Sequence, residues 1–88
     1  MTTETALKMA KIFQWAYECD LDIEVRKVGE EMGLHRAFYP EIRFRGSFGD
    51  LSKGLSIRGN DYDDLIKAIE HQSKYIAANL SRPELKLI

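Results

Sequence analysis

Cysteine is nearly absent from this sequence, which contains a single one, Cys19. One thiol excludes an intramolecular disulfide, and its place among the apolar residues of a predicted helix favours a buried, reduced side chain. Histidine is scarce too, because only His35 and His71 are present. These few residues do not supply the three or four ligands at recurrent spacing that a metal site needs. We therefore expect a protein of a reducing compartment, with no metal and no other cofactor.

Long apolar runs are also missing. No stretch approaches the roughly 20 apolar residues of a membrane-spanning helix. The N-terminal stretch, MTTETALKMAK, lacks the basic start and the apolar run of a signal peptide. These absences predict a cytoplasmic protein of a bacterium or a virus that does not bind membranes.

No catalytic or nucleotide-binding motif is present. The two histidines are far apart, and no Ser, His and Asp arrangement or nucleophile elbow occurs. The glycines of GSFGDLSKG, residues 46–54, lack the order of a Walker loop or a dinucleotide fingerprint. The acidic run DYDD, residues 61–64, falls in the first turn of a predicted helix, where carboxylates complement the helix dipole. The sequence therefore predicts a non-enzymatic protein.

The composition is that of one globular domain covering residues 1–88, with 44% hydrophobic and 31% charged residues. A chain of this size buries only about 60 to 65% of its unfolded surface, so dimerisation would enlarge a modest core. The formal net charge is −1. No long-range field therefore attracts nucleic acid or anionic lipid, and any such binding has to come from a local patch.

Helical periodicity marks both ends of the chain. Residues 3–19 are predicted to form the first helix, capped by Thr2 or Thr3. Its predicted apolar stripe comprises Ala6, Met9, Ala10, Phe13, Ala16 and Tyr17, widened by Ile12, Trp15 and Cys19. Residues 60–81 are predicted to form the last helix, with Asn60 as its N-cap.

Between the helices the hydrophobic period changes to two, which is typical of half-buried strands. The alternation predicts strands at about 21–28, 41–46 and 54–58, with a turn at Gly29–Gly33. With short connections, the order helix-strand-strand-strand-helix predicts an α+β fold: an antiparallel three-stranded sheet with both helices packed on one face. The other face stays open, and the alternation places these residues on it: Glu24, Arg26, Glu41, Arg43, Arg45, Ser56 and Arg58.

The segment 33–59 is locally basic, with five Arg and Lys residues against two acidic ones. Arginine suits phosphate groups, and exposed aromatic rings stack on unpaired bases. The predicted nucleic-acid site therefore comprises Arg26, Arg36, Arg43, Arg45, Lys53 and Arg58 for phosphates, and Phe38, Tyr39 and Phe48 for stacking. The competing interpretation is a solvated sheet face, mixed in charge for solubility, with the aromatic residues in the core.

The stretch KGLSIRGNDYDDL, residues 53–65, resembles the C-terminal signature of the transcriptional positive cofactor four family of single-stranded-DNA-binding coactivators. That signature reads Lys-Gly-Ile-Ser-Leu, four spacer residues, an aromatic residue, two more residues and Leu. The positions that fit it without a gap are Lys53, Gly54, Leu55, Ser56, Ile57, Tyr62 and Leu65. Upstream, Ile42 and Arg43 are similar to the preceding Ile-Arg strand of the family, and the resemblance covers about residues 23–70.

The resemblance implies a curved antiparallel sheet backed by a helix, dimerisation through that helix, and single-stranded DNA lying across the sheet. By matching position, Lys53 and Arg43 would contact the DNA backbone. The chain departs from the family where a helix with Trp15 replaces the first strand. The element order is also similar to the double-stranded-RNA-binding domain, but that family opens its last helix with lysines, where this chain has NDYDD.

Two functions are compatible with these patterns. The first is a small non-enzymatic domain that binds single-stranded nucleic acid, DNA above all, in transcription or replication. The alternative is a protein-interaction module, such as a small regulator or inhibitor of the type that phages and mobile elements encode, with Trp15 and Tyr17 of the first helix as anchors. A homodimer formed through the open face or the last helix is compatible with both.

Overall fold

The computed structural model describes residues 2–32, 35–47 and 49–87, and the side chains at 30–32, 35–37 and 50 are not described. The elements, in chain order, are α1 (Thr3–Glu18), β1 (Asp22–Met32), β2 (His35–Arg45), a 3-10 helix (Gly49–Lys53), β3 (Leu55–Arg58) and α2 (Tyr62–Leu80). The predicted α+β order, helix-strand-strand-strand-helix, is confirmed.

The three strands form an antiparallel sheet in the order β1-β2-β3, with β2 in the centre. Val25 lies opposite Ile42, which lies opposite Ile57. Because side chains alternate along a strand, these apolar residues share one face of the sheet. The neighbouring residues Glu24, Arg43 and Ser56 are paired in the same way and share the other face.

Both helices pack on the apolar face. Trp15 of α1 meets Phe44 of β2 edge to face, with ring centroids 5.9 Å apart and an interplanar angle of 85°. From α2, Leu65 and Ile69 are fully buried in the same core. The edge-to-face arrangement of Trp15 and Phe44 is favoured by the quadrupole of aromatic rings. The helices therefore form one layer, and neither of them covers the opposite face of the sheet.

The C-terminal segment adds to this core by folding back on α1. The indole Nε1 of Trp15 donates a hydrogen bond of 2.9 Å to the carbonyl of Pro83. Lys11 Nζ donates to the carbonyl of Leu87 at 3.2 Å, and the side chains of Leu85 and Leu87 are buried. A buried tryptophan needs a partner for its N–H, and the tail supplies it.

The buried face of α1 is rotated from the predicted one. The helix buries Thr5, Met9, Ile12, Trp15 and Ala16. Four members of the predicted stripe are exposed instead: Ala6, Ala10, Phe13 and Tyr17. The rotation places the large side chains of Ile12 and Trp15 in the core, where their burial removes apolar surface from water.

The β1–β2 hairpin is longer than predicted. Its pairing continues to Met32 opposite His35, so the predicted strand end at residue 28 and start at residue 41 are wrong. Gly29 lies opposite Phe38, and a Cβ built on Gly29 would lie 3.1 Å from the Phe38 ring. The ring therefore covers the gap that a glycine leaves in a strand.

Pro40 is accommodated within β2 because of the direction in which it points. Its carbonyl accepts a hydrogen bond of 3.1 Å from the N–H of Gly59, just beyond the end of β3. In a strand the N and the C=O of one residue point to the same side, so the missing N–H of Pro40 removes no hydrogen bond to β1.

The N-cap of α2 is Asp61, not the predicted Asn60. The Asp61 side chain accepts a hydrogen bond of 2.8 Å from the N–H of Asp64. In return, Asp64 Oδ2 accepts one of 3.0 Å from the N–H of Asn60. This reciprocal arrangement satisfies backbone donors at the helix start, which have no partner within the helix.

The molecule is flat, with extents of 46 × 30 × 17 Å. β3 pairs only with residues 41–44, so the far half of the β1–β2 hairpin extends past it. Within the described part of the chain, no helix has both the length and the apolar character needed to cross a membrane.

Candidate nucleic-acid interface

We define the open face as the sheet surface that neither helix covers. It is formed by Asp22, Glu24, Arg26, Tyr39, Glu41, Arg43, Arg45, Ser56 and Arg58. The structure therefore brings together five of the predicted site residues, namely Arg26, Tyr39, Arg43, Arg45 and Arg58, on one surface.

Charges of opposite sign alternate across the strands of the open face. Asp22 lies opposite Arg45, and Glu24 lies opposite Arg43. Glu41 of β2 lies between Arg26 and Arg58. The acids are unevenly placed, because two of the three belong to β1 and the third, Glu41, is only 6% exposed. The half of the open face formed by β2 and β3 is therefore the basic half.

Glu41 is buried, and its carboxylate is paired with Arg26. Arg26 Nε donates to Glu41 Oε2 at 2.7 Å. This hydrogen bond, together with the negative charge, raises the pKa of Arg26 above its already high ordinary value. Arg26 therefore compensates a buried carboxylate, and only the rest of its guanidinium is available to a ligand.

Arg43 supports the entry into β3. Its Nη2 donates a hydrogen bond of 2.9 Å to the carbonyl of Lys53. Its guanidinium also lies against Gly54, whose backbone has a φ of +90° and leaves no room for a Cβ. Arg43 Nε is buried without a hydrogen-bond partner among the described residues. The position of the Lys53–Gly54 turn thus depends on Arg43, which was predicted as a phosphate ligand.

Arg45 and Lys53 are the most available cations at one end of the basic half. Both side chains are exposed, and neither makes a hydrogen bond or an ion pair with any described residue. Arg45 is the last residue of β2, and Lys53 is the last residue of the 3-10 helix. The carbonyl of Lys53 is the one that accepts the hydrogen bond from Arg43. Exposed, unpaired cations of this kind gain most from a phosphate, because no internal partner has to be given up.

An aromatic and a cation are paired at the other end of the open face. The guanidinium of Arg58 lies 6.0 Å from the centroid of the half-buried Tyr39 ring. Arg58, Tyr39 and Asn60 line a shallow polar depression there. Tyr39 and Arg45 are six residues apart along β2, which is about 20 Å of strand. The basic half therefore has a cationic end and an end suited to stacking.

The other predicted stacking residues do not join Tyr39. Phe38 is 57% exposed, but it follows the alternation to the opposite face of the hairpin, where it covers Gly29. Adjacent residues of one strand point to opposite faces, so of these two predicted stacking residues Tyr39 lies on the open face and Phe38 does not. Phe48 and the side chain of Arg36 lie outside the described residues.

At α1 the sequence prediction differs from the structure in two ways: the position of Trp15 and the presence of an apolar groove. Trp15 is 5% exposed and belongs to the core, so it cannot anchor a partner. The exposed residues Ala6, Ala10 and Phe13, with Val25 of β1 and Tyr62 of α2, line a shallow apolar groove that we call the α1 groove. The sequence feature that indicates this groove is the spacing of Ala6, Ala10 and Phe13. These residues form a second apolar stripe on α1, beside the one that contains Ile12 and Trp15.

Cys19 is not suited to chemistry. It is 4% exposed. Burial raises the pKa of its thiol above the ordinary value of 9.0, although nearby Arg82 opposes this rise. A protonated, buried thiol is a poor nucleophile at neutral pH. Among the described residues, no group of three or more His, Cys, Asp and Glu side chains converges to hold a metal ion.

Comparison of the chain with protein-family models, with curated proteins and with solved structures found no match. The open face and the α1 groove are two surfaces of the described residues on which a ligand or a partner could bind.

Proposed function

We propose that the protein is a small, non-enzymatic domain that binds single-stranded nucleic acid, DNA above all, on the basic half of its open face. The observation that carries this proposal is a sheet face that neither helix covers, with the Tyr39–Arg58 pair at one end. At the other end lie Arg45 and Lys53, whose side chains have no hydrogen-bond or ion-pair partner among the described residues. Sheets that bind single strands combine cations for the backbone with rings for the bases.

In this proposal each end of the basic half has a different task. Arg45 and Lys53 bind phosphates, and Tyr39 stacks on an unpaired base. The acids of β1, Asp22 and Glu24, repel phosphate and confine the strand to β2 and β3. Because the net charge is −1, binding depends on local contacts and not on a long-range field. Each cation–phosphate contact releases counterions from the nucleic acid, so binding weakens as salt rises.

The resemblance to the positive cofactor four family agrees with this placement. Lys53 and Gly54 precede β3, Ser56 and Ile57 lie in it, and Tyr62 starts α2. The resemblance thus falls on the strand-to-helix junction that borders the basic half. A role in regulating transcription or replication, and a cytoplasmic location, are part of the proposal.

Fluorescence anisotropy with a labelled single-stranded oligonucleotide at low salt tests it. We expect the double variant Arg45→Ala/Lys53→Ala to lose about tenfold or more in affinity, because two charge-assisted contacts are removed. The matched control is Lys67→Ala/Lys74→Ala, which removes two exposed lysines from α2. Equal losses in both variants, or no binding by the unaltered protein, contradict the proposal.

A second function, binding of a protein partner through α1, is favoured by a separate observation. Tyr17 is 83% exposed and Phe13 is 41% exposed on the same side of the helix. Exposed aromatic residues are frequent anchors at protein interfaces. A partner retained by the unaltered chain and lost by Phe13→Ser/Tyr17→Ser would favour this function over nucleic-acid binding.

A further inference from the structure

Among the described residues β1 pairs with β2 alone, so its other edge has backbone groups available for pairing with another strand. The hydrogen bond from Gly59 N to Pro40 O shows that residues 40, 42 and 44 of β2 direct their backbone groups towards β3. Glu41, Arg43 and Arg45 therefore direct theirs towards β1, where their partners are Arg26, Glu24 and Asp22. It follows that the intervening residues, Ile23, Val25 and Lys27, direct their N–H and C=O groups outward, to the edge.

The side chains along this edge combine an apolar surface on one face with charges on the other. Val25 points to the helix-covered side but remains 39% exposed, and it lines the α1 groove with Ala10 and Phe13. On the open face, Glu24 and Arg26 flank Val25 with opposite charges. Arg26 is about half exposed at its side chain, so its guanidinium can reach beyond Glu41.

We propose that the edge of β1 binds a second copy of this chain, forming a continuous antiparallel six-stranded sheet about a two-fold axis at Val25. In this register the two copies of Val25 lie opposite each other and exchange backbone hydrogen bonds. Glu24 of each copy lies opposite Arg26 of the other, as a closely spaced pair without backbone hydrogen bonds. The contact is isologous, because the same patch is used by both copies.

Charge complementarity selects this register. A two-fold axis perpendicular to the sheet keeps each residue on its own face, so the axis passes through a residue position. Centres at Glu24, Arg26 or Lys27 would place that residue opposite its own copy, and a centre at Ile23 would place Asp22 opposite Glu24. Only Val25, within residues 23–27, avoids like charges facing each other, and like charges directly opposite are destabilising.

A centre at Val28 is the strongest competitor, because it would pair Arg26 with Glu30. In that register, however, Val25 would lie opposite Glu31, and its exposed apolar surface beside the α1 groove would gain no apolar partner. The centre at Val25 buries that surface against its own copy and brings the two α1 grooves to one side of the joined sheet. This dimer is independent of nucleic-acid binding.

Light scattering and cysteine cross-linking test the dimer. We expect the unaltered chain to approach twice the monomer mass as concentration rises, and Val25→Cys to form a covalent dimer under mild oxidation. In a hydrogen-bonded antiparallel pair the Cα atoms are about 5.5 Å apart, within the range of a disulfide. The native Cys19 is buried, so the thiol introduced by Val25→Cys is the accessible one of the two and the one expected to cross-link.

The control is Asp22→Cys, an exposed position on the same strand. In the proposed register its two copies are separated by about 20 Å along the strands, so it should stay monomeric on oxidation. A monomer at every concentration, cross-linking of Asp22→Cys as fast as Val25→Cys, or cross-linking of Val28→Cys in place of Val25→Cys would each overturn the proposal.

Discussion

The four arginines of the open face differ in what their side chains contact. Arg26 binds the buried Glu41, Arg43 binds the carbonyl of Lys53, and Arg58 lies over the Tyr39 ring. The side chain of Arg45 makes no hydrogen bond or ion pair with any described residue. Residues that look equivalent in the sequence therefore have separate roles, and the cations most available to a ligand are Arg45 and Lys53.

The contact between Arg43 and Gly54 is expected to affect stability. Gly54→Ala should lower the free energy of unfolding by about 1–3 kcal/mol, because alanine is strained at positive φ and its Cβ would displace the guanidinium. Gly49 also has a positive φ, +65°, but open space surrounds it. Gly49→Ala should therefore cost less in urea unfolding, and equal costs would contradict a role for the Arg43 contact.

The buried thiol of Cys19 predicts a dependence of stability on pH. Its pKa is raised in the folded chain, so above the ordinary value of 9.0 the unfolded chain releases the proton while the folded chain retains it. The free energy of unfolding should then fall as pH rises from 9.0 through the folded pKa. Urea unfolding below and above pH 9.0 should show a smaller fall for Cys19→Ser, and an identical fall would be evidence against this linkage.

At the scale of the elements, the sequence was sufficient for their type and order. Strands are indicated by the period-two alternation in residues 21–25 and 41–45, and a helix by the spacing in residues 60–80. Such patterns can be recognised within a single segment of sequence. The length of the β1–β2 hairpin was not predictable in this way. Gly29 and Pro40 ordinarily mark turns and strand ends, and both are tolerated through tertiary contacts, the Phe38 ring and the Gly59 N–H.

The same limit applies to the predicted site. Alternation alone placed Arg26, Arg43, Arg45 and Arg58 on one face, as the register shows. It could not show that Arg26 and Arg43 are engaged by Glu41 and by Lys53, because those contacts cross between strands or reach into a turn. It also did not separate Phe38 from Tyr39, since the predicted strand began after both.

The start of α2 allows a direct comparison of two adjacent residues. Asp61→Ala should lower the free energy of unfolding by about 0.5–2 kcal/mol, because the N–H of Asp64 loses its capping acceptor. Asn60→Ala should cost little, since Asn60 contributes its backbone N–H to Asp64 and this group is kept. Thermal or urea unfolding of both variants measures the difference, and the reverse order would contradict the assignment of Asp61 as the N-cap.

At the scale of the whole molecule, the fold separates its tasks between two sides. The helices and the C-terminal segment bury Trp15, Leu85 and Leu87 on one side of the sheet. The other side is the open face, which carries mostly charged residues, and the outer edge of β1 borders it. A flat molecule of this kind exposes a large sheet surface for its size, which is why the open face is the main candidate for binding.

The most direct test of the proposed function is NMR titration of the labelled protein with a single-stranded oligonucleotide at low salt. We expect backbone amide shifts to change at Tyr39, Arg45 and Ser56 and at the Lys53–Gly54 turn, and to reverse when salt is added. Amides around Lys67 and Lys74, on the far side of the molecule, should stay unchanged. Changes confined to α1, or no changes at any oligonucleotide concentration, would contradict binding on the open face.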